Sequence, residues 1–152
     1  MCKLKFFLIS NKPIKETAMK VLHLICTLEA GSNSKRKGLR PIPGTSPLRF
    51  KSGWWDFTVE QIEELMGGKV YLHNTKRTDS FVGGTVVDYK EFDMTPETIQ
   101  TLQKLGYNDI IIPKKTKRIE IVFQSELDAK GREWEGRDYS MNYSGDIIDV
   151  DR

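Results

Sequence analysis

Two adjacent tryptophans, Trp54 and Trp55, have the side chains best suited to stacking on a flat ligand. They follow Gly53, and neighbouring side chains on an extended segment face opposite ways. One indole would then pack in the core, while the other would offer a stacking face to a base or a wall to a cation. Burial of both rings beneath a long loop is the alternative.

A second candidate site lies in a predicted β-hairpin. Gly83 and Gly84 interrupt its second strand, which is typical of a bulge or of close approach by a ligand. Lys76 and Arg77 in the preceding turn have the charge to hold a phosphate. Ser80 and the backbone amides near Gly83 could read a polar edge. A bulged strand without a ligand is the alternative.

Three basic clusters could form an interface for nucleic acid. Their members are Lys35, Arg36, Lys37 and Arg40, then Lys76 and Arg77, then Lys114, Lys115, Lys117 and Arg118. If they meet on one face, they predict an electrostatic footprint whose affinity falls steeply with salt; if they scatter, they are solvated charge. From Glu126 onward, eight acidic residues oppose four basic ones. Since the whole chain carries +3, the preceding part carries +7, which favours an anionic partner.

Catalytic signatures are weaker. His73 ends a predicted strand beside Asn74 and is the histidine expected at an exposed position, so it is the candidate general base. His23 lies in an apolar run and is predicted to be a packed strand residue. The sequence has no nucleophile elbow, P-loop, GxGxxG or zinc-ligand spacing. We therefore expect a binding module rather than an enzyme, with no metal and no cofactor.

Short strands and two helices must position these residues. The predicted strands are Lys3–Ile9, Lys20–Leu28, Val70–Leu72, Phe81–Tyr89, Ile110–Ile112 and Arg118–Phe123. One helix begins at Thr58, with Gln61 in capping-box spacing, and the other at Thr95, followed by Pro96. Three prolines between residues 31 and 53 predict a long basic loop. This set of predicted strands and helices predicts an α+β fold built on a small, partly open mixed β-barrel with two short helices.

The length of 152 residues favours one domain, with residues 1–125 as the barrel and its basic loops. Residues 126–152 form an acidic C-terminal segment, expected to pack on the same domain. Cys2 and Cys26 are too few for a disulfide framework, and no signal peptide or apolar span of about 20 residues is present. These features predict a cytoplasmic protein without membrane contact. The oligomeric state stays open.

The hairpin carries a family resemblance. Residues 68–73 and 80–87 resemble the paired strands of PUA-like barrels, especially the EVE and ASCH branches. Residues 5–10 are similar to the first strand of EVE domains, and residues 118–123 would supply a later barrel strand. Together these segments cover about a quarter of the chain. The basic loop between residues 31 and 53 and the acidic tail have no matching counterpart.

This resemblance implies a reader of nucleic acid or of a modified nucleobase, with an aromatic pocket near the barrel mouth. On that basis Trp54, Trp55, Ser80 and Phe81 become candidate pocket residues. Two other classes of function stay open. One is a small phage or mobile-element inhibitor that uses the basic loops and acidic tail against a protein partner. The other is a small hydrolase or nuclease built around His73.

Overall fold

The domain is built on one seven-stranded mixed sheet. The computed structural model describes residues 18–108, 110, 116–135 and 144–151. In chain order the elements are β1 (Ala18–Ile25), β2 (Leu39–Ile42), β3 (Arg49–Trp55), α1 (Val59–Leu65), β4 (Lys69–His73), β5 (Ser80–Asp93), α2 (Pro96–Lys104), β6 (Lys117–Ser125) and β7 (Ile148–Asp151). The order across the sheet is β2-β3-β6-β5-β4-β1-β7. The β1–β4 pair is parallel and the other pairs are antiparallel.

The α+β class is therefore confirmed, but the predicted barrel is not. The described strands form an open ladder whose outer members, β2 and β7, do not pair with each other. Isolated bridges, Leu28 with Arg36 and Arg36 with Leu39, bring the chain after β1 toward β2.

Local capping chemistry fixes both helices where the sequence predicted them. The Thr58 hydroxyl accepts from the Gln61 amide at 3.1 Å, and the Gln61 side chain accepts from the Thr58 amide at 2.9 Å. Thr95 caps α2 in the same way through the Thr98 amide, and Pro96 takes the first helical position. Such caps satisfy backbone donors that have no partner within the helix.

Alternation along the strands divides the sheet into two faces, which we call the α1 face and the polar face. The α1 face carries the main core: Leu22, Leu24, Val70, Leu72, Val86, Ile119, Ile121 and Phe123 pack against Ile62 and Leu65 of α1. The polar face carries buried polar residues, among them His23 and Glu120. Helix α2 and the segment that follows β6 cover separate parts of this face.

The predicted loop from residue 31 to residue 53 contains two strands instead. Pro41 lies within β2, opposite Phe50 of β3. β2 is the outermost strand on its side of the sheet. An edge strand tolerates proline, because its outer side has no neighbouring strand to which a backbone N–H would have to donate. The prolines did exclude a central strand, but they did not exclude an edge strand.

The other strand predictions have mixed outcomes. The hairpin of β4 and β5 and the strand β6 are confirmed, and all three are longer than predicted. The strand predicted over residues 20–28 is confirmed as β1, shifted toward the N-terminus. The predicted strand at residues 3–9 lies outside the described residues, as do 111 and 112. Part of the acidic segment is ordered on the domain, because β7 pairs with β1. Within the described residues, no helix is both long and apolar enough to cross a membrane.

Gly84 sits where two backbones approach closely. A Cβ built there would clash with the Gln124 carbonyl of β6. We expect Gly84→Ala to lower the unfolding free energy by about 3 kcal/mol, because β5 and β6 would have to separate. Urea unfolding followed by circular dichroism measures the change.

Gly44→Ala is the matched control. Its added Cβ meets nothing within 4 Å, although its φ of 79° is strained for alanine. This substitution should cost only the strain of the left-handed backbone, about 1 kcal/mol. Equal losses in the two variants would contradict the close-approach explanation.

Candidate functional site

A buried chain of hydrogen bonds crosses the polar face at the hairpin end of the sheet. His23 Nδ1 lies 2.7 Å from His73 Nε2, and both rings are almost fully buried. His73 Nδ1 lies 2.7 Å from the Thr78 carbonyl, and His23 Nε2 lies 3.0 Å from Glu135 Oε1. His23 is in register with Tyr71 on the parallel neighbour, and His73 is two residues further along, so the rings share one face.

These three hydrogen bonds need three protons among the two imidazoles and the Glu135 carboxyl group. The Thr78 carbonyl only accepts, so His73 carries a proton on Nδ1. The hydrogen bond between the two rings needs one more proton, and so does the one from His23 to Glu135. Two neutral imidazoles supply two of the three protons. The third makes one ring an imidazolium if Glu135 is ionised, or lies on the Glu135 carboxyl group, which then donates to a neutral His23.

Burial disfavours a charged His73 ring. It lowers the pKa of His73 below its ordinary value, although the Thr78 hydrogen bond and the Asp79 charge oppose this shift. An imidazolium in this pair is therefore expected at His23, whose Nε2 lies 3.0 Å from Glu135 and would make a charge-assisted hydrogen bond to its carboxylate.

Trp134 lies against both histidines. Its ring centre is 5.4 Å from that of His23 and 5.2 Å from that of His73. The Lys76 ammonium lies 5.7 Å from the centre of the same indole. Tyr71 stacks on His23 at 5.0 Å and completes the aromatic surroundings.

An open cleft of about 480 Å³ lies above this cluster. Its described lining consists of Lys76, Arg77, Thr78, Asp79, Glu133 and Trp134. The cleft therefore brings together an indole, two cations and two carboxylates. A larger cleft near α1, about 780 Å³, is lined by Asp56, Glu60 and Glu91 with Lys117 as its described cation, which suits an anionic ligand less well.

The predicted tryptophan pair does not line the cleft over Trp134. Trp54 and Trp55 do face opposite sides, as expected: Trp54 packs beneath α2 and Trp55 joins the main core. Their strand, β3, is separated from β4 by two other strands. The expected recess that combines Trp54 or Trp55 with Lys76 and Arg77 is thus wrong, because Trp134 supplies that indole.

The predicted exposed position of His73 is also wrong. Its side chain is completely buried, and both ring nitrogens are hydrogen-bonded. Ser80 is buried as well, and its hydroxyl donates to the Ala129 carbonyl at 2.6 Å. Gly83 and Gly84 serve close contact between backbones, with the Val70 and Gln124 carbonyls respectively.

Asn74 and Phe81 meet the first basic cluster. The Arg36 guanidinium lies 3.8 Å from the centre of the Phe81 ring and donates to Asn74 Oδ1 at 2.5 Å. This contact places exposed Lys35 and Lys37 beside the hairpin loop. Two of the three basic clusters are therefore neighbours.

Arg40 belongs to the interior rather than to an anion-binding surface. It donates to Glu29 at 2.7 Å and to the Gly106 carbonyl at 2.9 Å, and its guanidinium lies 4.4 Å from the centre of the Tyr107 ring. The side chain of Glu29 is only 1% exposed. This ion pair fastens the chain after β1 to the end of α2.

The third basic cluster lies at the other end of the sheet. Lys117 and Arg118 pair with Asp93 and Phe92 at the end of β5, whereas the hairpin loop precedes its first residue. At about 3.3 Å per residue, β5 separates the hairpin loop from Lys117 and Arg118 by roughly 40 Å. Lys114 and Lys115 lie outside the described residues. The described basic residues therefore do not form a single footprint.

Sequence reasoning missed Trp134, Glu135 and the partnership of His23. His23 does pack in a strand, as predicted, but within a polar chain. The retrievable signal was the two-residue periodicity of a strand, which puts His23 on the face opposite Leu22 and Leu24. Its hydrogen bond to Glu135 spans 112 residues, so no local pattern reports it.

Metal and thiol chemistry find little support at these sites. Among the described residues no group of three or more His, Cys, Asp or Glu side chains is placed to hold a metal ion. The Cys26 thiol is buried, which raises its pKa to about 12 against the opposing charges of Arg36 and Arg40. It therefore stays protonated at neutral pH and is a poor nucleophile.

Comparison with protein-family models, with curated proteins and with solved structures gives no match. Functional inference for this chain therefore starts from the geometry of its own sites.

The proton count is directly observable, because the chain has only two histidines. We expect nitrogen NMR at neutral pH to show one ring protonated at both nitrogens and one protonated at Nδ1 alone. Glu135→Gln removes the balancing charge, and its amide can donate to a neutral His23, so the doubly protonated ring should disappear. Glu133→Gln, an exposed neighbour, is the control. Two neutral rings in the unmodified protein would contradict the imidazolium and place the third proton on Glu135.

Stability should depend on pH through His73. Because its folded pKa is lowered from 6.5, the unfolded chain binds more protons in the interval between the two values. The contribution of His73 to the unfolding free energy is therefore fully present above about pH 6.5 and declines as the pH falls through that interval. His73→Asn should flatten this dependence, as measured by urea unfolding between about pH 5 and pH 8. An unchanged slope in the variant would assign the dependence to other groups.

Proposed function

We propose that this domain binds single-stranded RNA or DNA, or an unpaired modified base, in the cleft over Trp134. The observation that carries the proposal is that one cleft contains the Trp134 indole together with Lys76 and Arg77. Stacking on an aromatic ring and neutralisation of phosphate are the two interactions that proteins use on single strands.

The remaining groups of the cleft fit the same ligand. Asp79 and Glu133 supply oxygens that accept from the amino or ring N–H groups of a base. In a duplex the N–H groups of a base are hydrogen-bonded and its faces are stacked, so the proposed ligand is an unpaired nucleotide. Base identity would be read by the two carboxylates and not by the indole, which stacks on any base.

The neighbouring basic cluster extends the proposed path. Lys35 and Lys37 are exposed, and Arg36 ties their loop to Asn74 beside the cleft. A backbone leaving the cleft would therefore meet further cations within a few nucleotides. Arg40 is omitted from this path because Glu29 holds it.

The PUA-like relationship is part of the same proposal. Its support is the mixed sheet with a glycine-notched hairpin and two helices, together with the bridges of Arg36 that bring the chain after β1 toward β2. A reducing, cytoplasmic setting is likewise proposed, supported by the free thiol of Cys26.

Trp134→Ala should weaken binding to labelled single-stranded oligonucleotides by about 5- to 150-fold, since stacking contributes about 1–3 kcal/mol per base. Trp134→Phe keeps an aromatic face and should retain most of the affinity. Fluorescence anisotropy measures both, with thermal unfolding to establish that each variant is folded. Equal affinity of Trp134→Ala and the unmodified protein would exclude the indole as a stacking surface.

The cations are tested separately through salt. Replacing Lys76 and Arg77 together by alanine should reduce the slope of log affinity against log salt by about 1.4, since each phosphate contact on a single strand contributes about 0.7. Lys117→Ala removes an exposed charge at the far end of the sheet and should leave the slope unchanged. If the unmodified protein binds no oligonucleotide, the proposal is wrong and the alternative of a protein partner is favoured.

A further inference from the structure

A second cleft on the polar face contains a buried carboxylate. About 310 Å³ of space lies between α2 and the sheet, with the apolar side chains of Phe92, Leu102 and Tyr107 among its walls. Glu120 of β6 lines it, and Lys51 and Lys90 are the cations of its described lining. This cleft is distinct from the one over Trp134 and shares no lining residue with it.

Glu120 is a nearly buried residue whose carboxylate faces the cleft without a bonded protein partner among the described residues. The residue is 7% exposed, and within the described residues its side chain forms no hydrogen bond or ion pair. Burial raises its pKa, an effect that the charges of Lys51 and Lys90 oppose from a distance. Because its oxygens are open to the cleft, a ligand that carries N–H groups can donate to them in place of water.

Glu29 is a buried carboxylate with a structural role, and it offers a comparison for Glu120. It is 2% exposed, yet it accepts from Arg40 at 2.7 Å and from the side-chain amide of Asn108 at 3.3 Å. The two glutamates are similarly buried, but only Glu120 lines a cleft and lacks such donors. This difference indicates that Glu120 is a ligand-binding group.

The aromatic walls are held in place from behind. Trp54 packs edge-on against Tyr107 at 5.0 Å and against Phe92 at 6.3 Å between ring centres. Its Nε1 is buried and has no hydrogen-bond partner among the described residues. The indole therefore contributes packing to this wall, which presents preformed aromatic surface to a ligand.

From this arrangement we infer that the cleft between α2 and the sheet binds a guanine nucleotide, with Glu120 accepting from the base and Lys51 and Lys90 contacting the phosphate. Guanine is the standard base with two adjacent N–H donors, N1–H and N2–H, on one edge, and these match the two oxygens of a carboxylate. Adenine and cytosine place an acceptor beside their amino group, which would face a carboxylate oxygen. The inferred site does not depend on the cleft over Trp134.

Isothermal titration of the full chain with guanosine monophosphate tests the inference. We expect binding that is at least about tenfold stronger than that of adenosine monophosphate, since one charge-assisted pair of bonds is lost with adenine. Guanosine should bind more weakly than its monophosphate, and inorganic phosphate alone should not compete at equal concentration. Equal binding of the two monophosphates would overturn recognition through the base edge.

Glu120→Gln is the decisive variant. It is nearly isosteric and removes an unpaired buried charge, so it should fold; thermal unfolding checks this. Its amide places a donor against the guanine N–H groups, and affinity for guanosine monophosphate should fall at least about tenfold. Glu64→Gln, an exposed glutamate of α1, is the matched control and should bind as the unmodified protein does. Unchanged affinity in Glu120→Gln, or no binding by the unmodified protein, would refute the site.

The phosphate arm and the independence of the two clefts are tested with the same titration. Lys51→Ala with Lys90→Ala should weaken binding of the monophosphate and leave that of guanosine unchanged; loss of both would show that the lysines do not act on the phosphate. Trp134→Ala should bind guanosine monophosphate normally. Loss of guanosine monophosphate binding in Trp134→Ala would show that the nucleotide occupies the other cleft.

Discussion

The buried hydrogen bond between His23 and His73 is the interaction on which the polar face depends. Each ring uses its second nitrogen to hold a distant part of the chain: His73 binds the Thr78 carbonyl of the hairpin loop, and His23 binds Glu135. A buried polar chain of this kind is stable only when every member is satisfied. The requirement fixes the loop and the segment after β6 together, and it places Trp134 between them.

The two faces of the sheet follow different rules. The α1 face is a closed apolar core, in which side chains need only volume and hydrophobicity to pack. The polar face is covered in two separate patches, where buried groups such as His23, Glu29 and Glu120 must find donors or acceptors. Buried polar groups with partners stabilise the fold, whereas an unpartnered polar group that faces a cleft is available to a ligand.

The carboxylates illustrate this distinction most clearly. Glu29 is held by Arg40, and Glu126 accepts from Lys69 and from the Thr85 hydroxyl, both at 2.6 Å. Glu135 lies 3.0 Å from His23 Nε2. Each of these three carboxylates has a defined structural partner, so a ligand would have to break an existing interaction to bind it. Glu120 differs because its neighbouring cations stay at a distance and its oxygens face a cleft.

The sequence by itself determined the parts of this protein that depend on neighbours along the chain. The helix N-caps, the hairpin and the opposite facing of Trp54 and Trp55 all follow from contacts or geometry within a few residues, so the predictions for them held. Only the tertiary structure decided which indole lines a cleft, that His73 is buried, and that Pro41 lies on an edge strand. These outcomes depend on strand order and on bonds such as that from His23 to Glu135, which join residues far apart in sequence, and no local periodicity encodes such pairings.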